Sequence, residues 1–388
     1  MNIKPIIPYG KQNITAEDLK AVTETLASDF LTQGPKIAEF ESAFAQYIGC
    51  KYAVAVSNGT AALHLCALAL GVGEKDNVIT TPITFAASAN CIKYCGGNVY
   101  FADIDPDTYL IDLKKVEELI ASKPPNFFTG IIPVDFAGRA VDMEACKAIA
   151  DKYGLWIIED ACHAPGGYFI DSKSNQQNCG NGRFAEVAIF SFHPVKHIAC
   201  GEGGMVTTND ETLYKRLTLL RTHGITKDPK LLIENHGGWY YEMQELGYNY
   251  RLTDFQSALG ISQLKRADDG LKRRKEIAFK YNDAFKNNKA IKGHSGYVDG
   301  HAYHLYIIET EKRLELYNSL RMNNIFAQVH YIPVHLLPFY KEMGNQEGDY
   351  PDAELYYHRC LSLPMYPTLT VTEQNFVIDQ IKEFYESN

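Results

Sequence analysis

No two of the nine cysteines have the C-x-x-C spacing of a zinc ribbon or a dithiol redox centre, and the nearest pair, Cys91 and Cys95, stands four apart. An odd set of scattered thiols reads as reduced side chains in a cytosolic core, not as a disulfide framework. Long apolar runs are also missing. None approaches the ~20 residues that a membrane-spanning helix needs. The amino-terminal stretch MNIKPIIPYGKQNIT lacks the basic-plus-apolar character of a signal sequence, so the expected location is cytoplasmic. Positive charge is in deficit, with 38 Lys and Arg against 47 Asp and Glu and a net charge of −9. The two signs are well mixed, which excludes the basic face of a nucleic-acid binder. Two catalytic signatures are absent as well. The turn SNGTAAL (57–63) does not contain the G-x-G-x-x-G of a dinucleotide-binding strand–helix turn. The nearest approach to the G-x-S-x-G of a serine hydrolase, GHSG at 293–296, has the wrong spacing.

What is present is a chain of 388 residues with 46% hydrophobic and 22% charged residues, the balance of a soluble enzyme and long enough for two domains. Seven short apolar or β-branched runs recur through its first two-thirds: YAVAVS (52–57), NVITT (77–81), GNVYF (97–101), TGIIPV (129–134), LWIIED (155–160), VAIFS (187–191) and GMVTT (204–208). Between most of them the apolar spacing is helical, at 60–70, 85–95, 112–121 and 142–152. This alternation predicts an α/β fold with a largely parallel sheet covered on both faces. Beyond Val206 the pattern changes. Helices are expected over 210–222 and 253–287, the second as a bridge, with a polar, aromatic loop at 223–252 between them. Strand-like AYHLYIIE and IFAQVHY then mix with helices at 311–323 and 372–386, as in a smaller α+β domain. The expected division is a large domain over 1–255 and a bridging helix plus small domain over 256–388.

In an open parallel sheet the ligand crevice lies beyond the carboxyl ends of the strands, and the candidate chemistry of this chain stands at those ends. The first passes through Ser57-Asn58-Gly59-Thr60 into a helix. That turn is either an ordinary N-cap on Asn58 or Thr60, or a cradle whose free amides and helix dipole receive a phosphate. The second leads to Phe85, a core aromatic or a plate for a flat cofactor. LWIIED ends in Asp160, either a cap or salt-bridge carboxylate or the partner of a protonated ring nitrogen. After Ser191 comes Lys196, among Val195, His197, Ile198 and Ala199. An amine in such company has a depressed pKa and serves as a Schiff-base nucleophile. Anion cradle, aromatic plate, carboxylate and Schiff-base lysine together describe one cofactor, pyridoxal phosphate.

The sequence resembles the pyridoxal-phosphate-dependent nucleotide-sugar aminotransferases of the DegT/StrS type. The resemblance rests on SDFLTQGPKIAEFE (28–41), VSNGTAALHL (56–65), TTPITFAASAN (80–90), VDFAGRAVDM (134–143), IIEDACHAPGG (157–167), FSFHPVKHIACGEGGMVTT (190–208), LRTHGI (220–225), YNYRLTDFQSALGISQLK (248–265) and VHYIPVH (329–335). It implies fold type I, aspartate-aminotransferase-like, with a mostly parallel seven-stranded sheet and a smaller carboxyl-terminal domain. It implies that Lys196 carries the cofactor and is the catalytic residue, and that the cofactor passes through its pyridoxamine phosphate form. Asp160 pairs with the ring nitrogen, Phe85 stacks on the ring, and His163 lies near the ring on the Asp160 side. The Thr60 and Ala61 amides and the Ser191 hydroxyl bind phosphate. Asn249 reaches the cofactor phosphate of the neighbouring subunit, which implies a homodimer with shared active sites. His330 and Tyr331 resemble a pair close to substrate, and Arg251, His223 and His236 are further candidates for the anionic nucleotide. No metal is implied. The phrases RTHGITKD, GGWYYEMQELGYNYRLTD and FAQVHYIPVH look most like family members that aminate a UDP-linked 4-keto-6-deoxy-N-acetylhexosamine for pseudaminic acid, with L-glutamate as donor. Another nucleotide 4-keto- or 3-ketosugar, of bacillosamine or dTDP-sugar type, and a non-catalytic cofactor-binding regulator stay open as alternatives.

Overall fold

All seven apolar runs become strands of one sheet: β1 (Tyr52–Val56), β2 (Asn77–Thr80), β3 (Asn98–Phe101), β4 (Gly130–Ile132), β5 (Trp156–Asp160), β6 (Val187–Ser191) and β7 (Gly204–Thr208). The computed structural model describes residues 6–293 and 298–387, so most of the GHSG stretch lies outside the described residues. The strand order is β1-β7-β6-β5-β4-β2-β3, with β7 antiparallel to both its neighbours and the other pairs parallel. Every strand except β7 therefore ends at the same edge.

Alternate strand residues serve opposite faces, as the pleat requires. Ile132, Ile158, Ile189 and Val206 pack with Leu63 and Leu65 of α3 (Gly59–Ala69), Ile92 of α4 (Ala87–Tyr94) and Leu217 of α7 (Glu211–Arg221). On the other face, Ile131 and Ile157 meet Val116 of α5 (Leu113–Ala121) and Cys146 of α6 (Met143–Tyr153). Phe190 and Met205 meet Phe40, Phe44 and Ile48 of α2 (Pro35–Ile48). That helix and α1 (Ala16–Leu26) precede the sheet and were not assigned from the sequence.

The expected bridging helix over 253–287 is two helices, α8 (Asp254–Leu264) and α9 (Ala267–Phe285). Arg266 breaks the run: its backbone leaves the helical region (φ −123°, ψ 18°) while its guanidinium donates to the Asn13 carbonyl (2.7 Å) and pairs with Asp18 of α1. The boundary expected after residue 255 falls within the first turn of α8. A three-stranded antiparallel sheet follows, with β8 (Tyr306–Glu309) between Lys292–Gly293 and β9 (Cys360–Leu363). It is covered by α9, α10 (Arg313–Met322) and α12 (Val371–Glu386); α11 (Pro351–Arg359) leads into β9. The run IFAQVHY is strand only at Ile325–Phe326, where it pairs with Ile7–Pro8. The loop at 223–252 carries a short hairpin, Ile225–Thr226 with Glu242–Met243. Among the described residues no helix is long and apolar enough to cross a membrane.

Candidate active site

A cavity of about 830 Å³ opens where the parallel strands end. At its first wall β1 turns into α3. Asn58 is the N-cap: its Oδ1 accepts the Ala61 N–H at 2.8 Å. This decides between the two caps weighed above, and it commits the Ala61 amide to the cap. The N–H groups of Gly59 and Thr60, in the first turn, have no intrahelical acceptor and stay available to an anion. The turn is closed by small residues. A Cβ on Gly59 would lie 3.1 Å from the Ser191 Cβ, and one on Gly204 would lie 2.6 Å from the Asn58 carbonyl carbon. Ser191, at the end of β6, thus stands directly beside the cradle.

Asp160 is buried at the end of β5. Its Oδ2 accepts from the Ser88 hydroxyl (2.7 Å) and its Oδ1 from the Cys162 N–H (3.2 Å). Because Ser88 spends its proton on Asp160, Thr84 donates in the 2.8 Å contact between the two hydroxyls. No helix follows Asp160, and among the described residues no cation pairs with it. Neither structural alternative for this carboxylate describes it.

Lys196 sits on the turn after β6, its backbone N–H donating to the His193 carbonyl (2.8 Å). Among the described residues its ammonium has no hydrogen-bond or ion-pair partner. Burial pushes its pKa below the usual lysine value, with Cys162 and Asp160 pulling weakly the other way. A lysine held this way is a larger source of free amine at neutral pH than a surface lysine.

Aromatic rings form the remaining wall. Phe85 is 62% exposed, an apolar plate left open to the cavity. His163 Nδ1 accepts the Ala137 N–H at 3.3 Å, which places the ring proton on Nε2, facing the Tyr331 hydroxyl at 3.4 Å. Burial and the neighbouring Lys196 hold the His163 pKa well below the usual histidine range, so the ring is neutral. His304 stacks beneath it at 4.3 Å and 30°. His330 donates to or accepts from Ser362 Oγ (2.9 Å), and burial lowers its pKa to about 3.

The cavity therefore brings together Thr60, Ala61, Phe85, Asp160, His163, Ser191, Lys196, His330 and Tyr331. It does not include Asn249, Arg251, His223 or His236. Asn249 bridges to Thr222, Arg251 bridges to Val56 beside β1, and His236 pairs with Glu234 on the exposed loop. Sequence reasoning missed Ser88, Cys162, His304 and Tyr9. Ser88 lies in the first turn of α4, three residues after Phe85, and only the fold brings its hydroxyl to Asp160. Tyr9 and His304 carried no signal either, because only the tertiary fold brings them to the cavity.

The sequence profile of the DegT/DnrJ/EryC1/StrS aminotransferase family matches residues 12–382. The spore coat polysaccharide biosynthesis protein SpsC of Bacillus subtilis is 40% identical over 97% of this chain and 96% of its own length. The UDP-4-amino-4,6-dideoxy-N-acetyl-beta-L-altrosamine transaminase of Campylobacter jejuni is 38% identical over 98% of each chain. Among solved structures, Helicobacter pylori PseC, an aminotransferase of pseudaminic acid biosynthesis, superposes with a TM-score of 0.89 at 32% identity, covering 99% of this chain and 100% of its own. The putative sugar aminotransferase Spr1654 of Streptococcus pneumoniae, solved in its PLP form, gives a TM-score of 0.89 at 28% identity over 99% of both chains.

Proposed function

The chain belongs to the DegT/DnrJ/EryC1/StrS aminotransferase family, and from that premise we propose that it moves the amino group of L-glutamate to the C4 keto group of a UDP-linked 4-keto-6-deoxy-N-acetylhexosamine. The products are UDP-4-amino-4,6-dideoxy-N-acetyl-β-L-altrosamine and 2-oxoglutarate. The protein is a sugar aminotransferase and its cofactor is pyridoxal phosphate. The observation that carries the aminotransferase reading is the unpartnered Lys196 amine in one cavity with Asp160, an open aromatic plate and two free helix amides; the choice of sugar is supported by the 38% identity to the altrosamine transaminase.

These residues fit the cofactor on their own chemistry. Lys196 would hold the cofactor through its aldehyde carbon, with loss of water, and its free amine would be the group that moves a proton to and from the reacting carbon. A positioned acid–base group of this sort is worth about 10²–10⁴ in rate. The Asp160 carboxylate, fixed by Ser88, holds a proton at the ring nitrogen. Gly59 and Thr60 amides with the Ser191 hydroxyl bind the phosphate, in place of the Ala61 amide that the resemblance implied. Phe85 covers one ring face and neutral His163 lies on the Asp160 side. The bound cofactor supplies an electron sink that stabilises negative charge on the carbon bearing nitrogen. His330 and Tyr331 contact the sugar.

Asn249 acts across a homodimer interface in this reading, and Arg251 lies near the nucleotide. The exposed apolar side chains of the same loop, Ile233, Trp239 and Leu246, support its burial against a second copy. The site is cytoplasmic, where glutamate is plentiful. The 40% identity to a spore coat polysaccharide biosynthesis protein favours one second reading, another nucleotide ketosugar such as one of the dTDP series. Mass spectrometry of products from a panel of 4-keto UDP- and dTDP-sugars with glutamate separates the two. The UDP-linked N-acetyl sugar is expected to gain one amine; a product only from the dTDP series overturns the substrate assignment.

A further inference from the structure

Tyr9 stands on the wall of the cavity that Lys196 also lines and belongs to none of the roles above. Its place is fixed by backbone bonds to the carboxyl-terminal elements. Ile7–Pro8 pairs in parallel with Ile325–Phe326, the Ile7 N–H donates to the Asn324 carbonyl (2.9 Å), and the Tyr9 carbonyl accepts from the Met365 N–H (2.9 Å). The next residue, Gly10, packs on Val195: a Cβ there would lie 3.4 Å from the Val195 Cβ. The amino-terminal segment therefore runs as a strap from β9's end of the molecule to the turn that carries Lys196.

The Tyr9 ring lies 4.9 Å from His330, and its phenol is close enough to Tyr331 to hold that neighbour's proton more firmly. Two other phenols on the cavity have partners, Tyr331 with His163 (3.4 Å) and Tyr250 with His64 (3.2 Å). Among the described residues the Tyr9 hydroxyl has none. A half-buried phenol in that position keeps its hydrogen bond only while water reaches it. When a ligand excludes that water, the ligand must supply an acceptor or the hydroxyl is left unpaired.

The chemistry of the wall selects among ligands. Among the described residues no arginine lines this chain's cavity, so the wall at Tyr9 offers a carboxylate no bidentate partner. A neutral phenol flanked by the rings of His330 and Tyr331 instead suits a hexose, which offers an apolar ring face and neutral oxygens. We propose that Tyr9 is a specificity-determining residue for the acceptor, its hydroxyl donating a hydrogen bond to a hydroxyl or acetamido oxygen of the ketosugar. This deepens the aminotransferase reading and rests on it.

The two half-reactions separate that role from a structural one, because they share the cofactor and Lys196 but not the sugar. With the holoenzyme, the absorbance change on adding glutamate reports the first and amination of the ketosugar reports the second. Tyr9→Phe keeps the ring against His330 and removes only the hydroxyl. The expected result is a fall of about tenfold in kcat/KM for the ketosugar, with the glutamate half-reaction and the melting temperature unchanged. Equal losses in both half-reactions, or no loss in either, overturn the role of Tyr9. A wild-type enzyme that converts with glutamate but aminates no ketosugar in the panel sinks the substrate reading and the role of Tyr9 with it.

Discussion

Glu159 and Asp160 are consecutive residues of β5, and the pleat sends them to opposite faces of the sheet. Asp160 faces the cavity, where Ser88 and the Cys162 amide fix its oxygens and Lys196 lies nearby without a partner of its own. Glu159 faces the interior. There it accepts the Gly180 N–H (2.8 Å) and meets Asp135 and Cys179, the three side chains bringing ligand atoms within 4.8 Å of one another. Burial pushes the Glu159 carboxyl well above its usual value, and the neighbouring Asp135 adds to the rise. Two acids one residue apart thus meet opposite demands. One is placed where a cationic ring nitrogen can neutralise it, and the other is kept in an apolar layer by burial that favours its neutral form. Burial alone does not distinguish them, since both are almost inaccessible; what faces each one does.

The comparison is broken most completely from the cavity side. Lys196→Ala or Lys196→Arg should abolish borohydride trapping and the visible absorbance of the cofactor Schiff base, and turnover should drop by at least about 10²–10⁴-fold. If either variant still traps cofactor and aminates a ketosugar, another amine is the nucleophile and the functional half of the comparison collapses.

A paired substitution tests the two acids directly. Asp160→Asn removes a fixed charge opposite the cofactor ring and should lower kcat by on the order of 10²-fold. Glu159→Gln preserves shape one residue earlier and should leave kcat within about threefold while altering thermal stability. Steady-state kinetics and melting curves of both variants at one pH suffice. Similar kcat losses at the two positions would show that the faces are electrically one site.

Much of this contrast was legible in the sequence, for a physical reason. Strands of a parallel sheet are buried on both faces, so each of the seven announced itself as an apolar run, and chemistry collects at their ends because nothing else interrupts those runs. Asp160, Ser191 and Lys196 were found that way. Glu159 was passed over because it lies inside the apolar run, where a carboxyl is explained only by a partner distant in sequence, here Asp135. The break between α8 and α9 was hidden for a similar reason: Arg266 is a good helix former, and its pairing with Asp18 and Asn13 is a tertiary event. Tyr9 and His304 belong to segments that reach the cavity only when the strap and β8 are in place. Asn249 and Arg251 carry family motifs and yet lie outside the cavity of their own chain, so a motif located them in the sequence without locating them in space.

The smallest expected effect sharpens the interior half of the comparison. Asp135 donates its backbone N–H to the Asp160 carbonyl (3.0 Å), and its Oδ1 accepts the Val141 N–H (2.9 Å). Burial raises its carboxyl to about 7, with the hydrogen bond from Val141 opposing the rise. In the unfolded chain the same proton leaves near the ordinary aspartate value of about 4. A folded pKa above the unfolded one means stability that is complete below about pH 4 and is lost as pH climbs through about 7. Asn in place of Asp135 cannot titrate, and it keeps the shape of the side chain and an oxygen for the Val141 N–H. Melting curves of Asp135→Asn should therefore match the parent near pH 4 and lie above it at about pH 8, by on the order of 2–4 °C. Because Asp135 holds the back of the strand through its backbone, kcat should hardly change. A melting difference that is flat across this range would mean that the interior carboxyl is not raised by its burial, and that Glu159 and Asp160 differ in position alone.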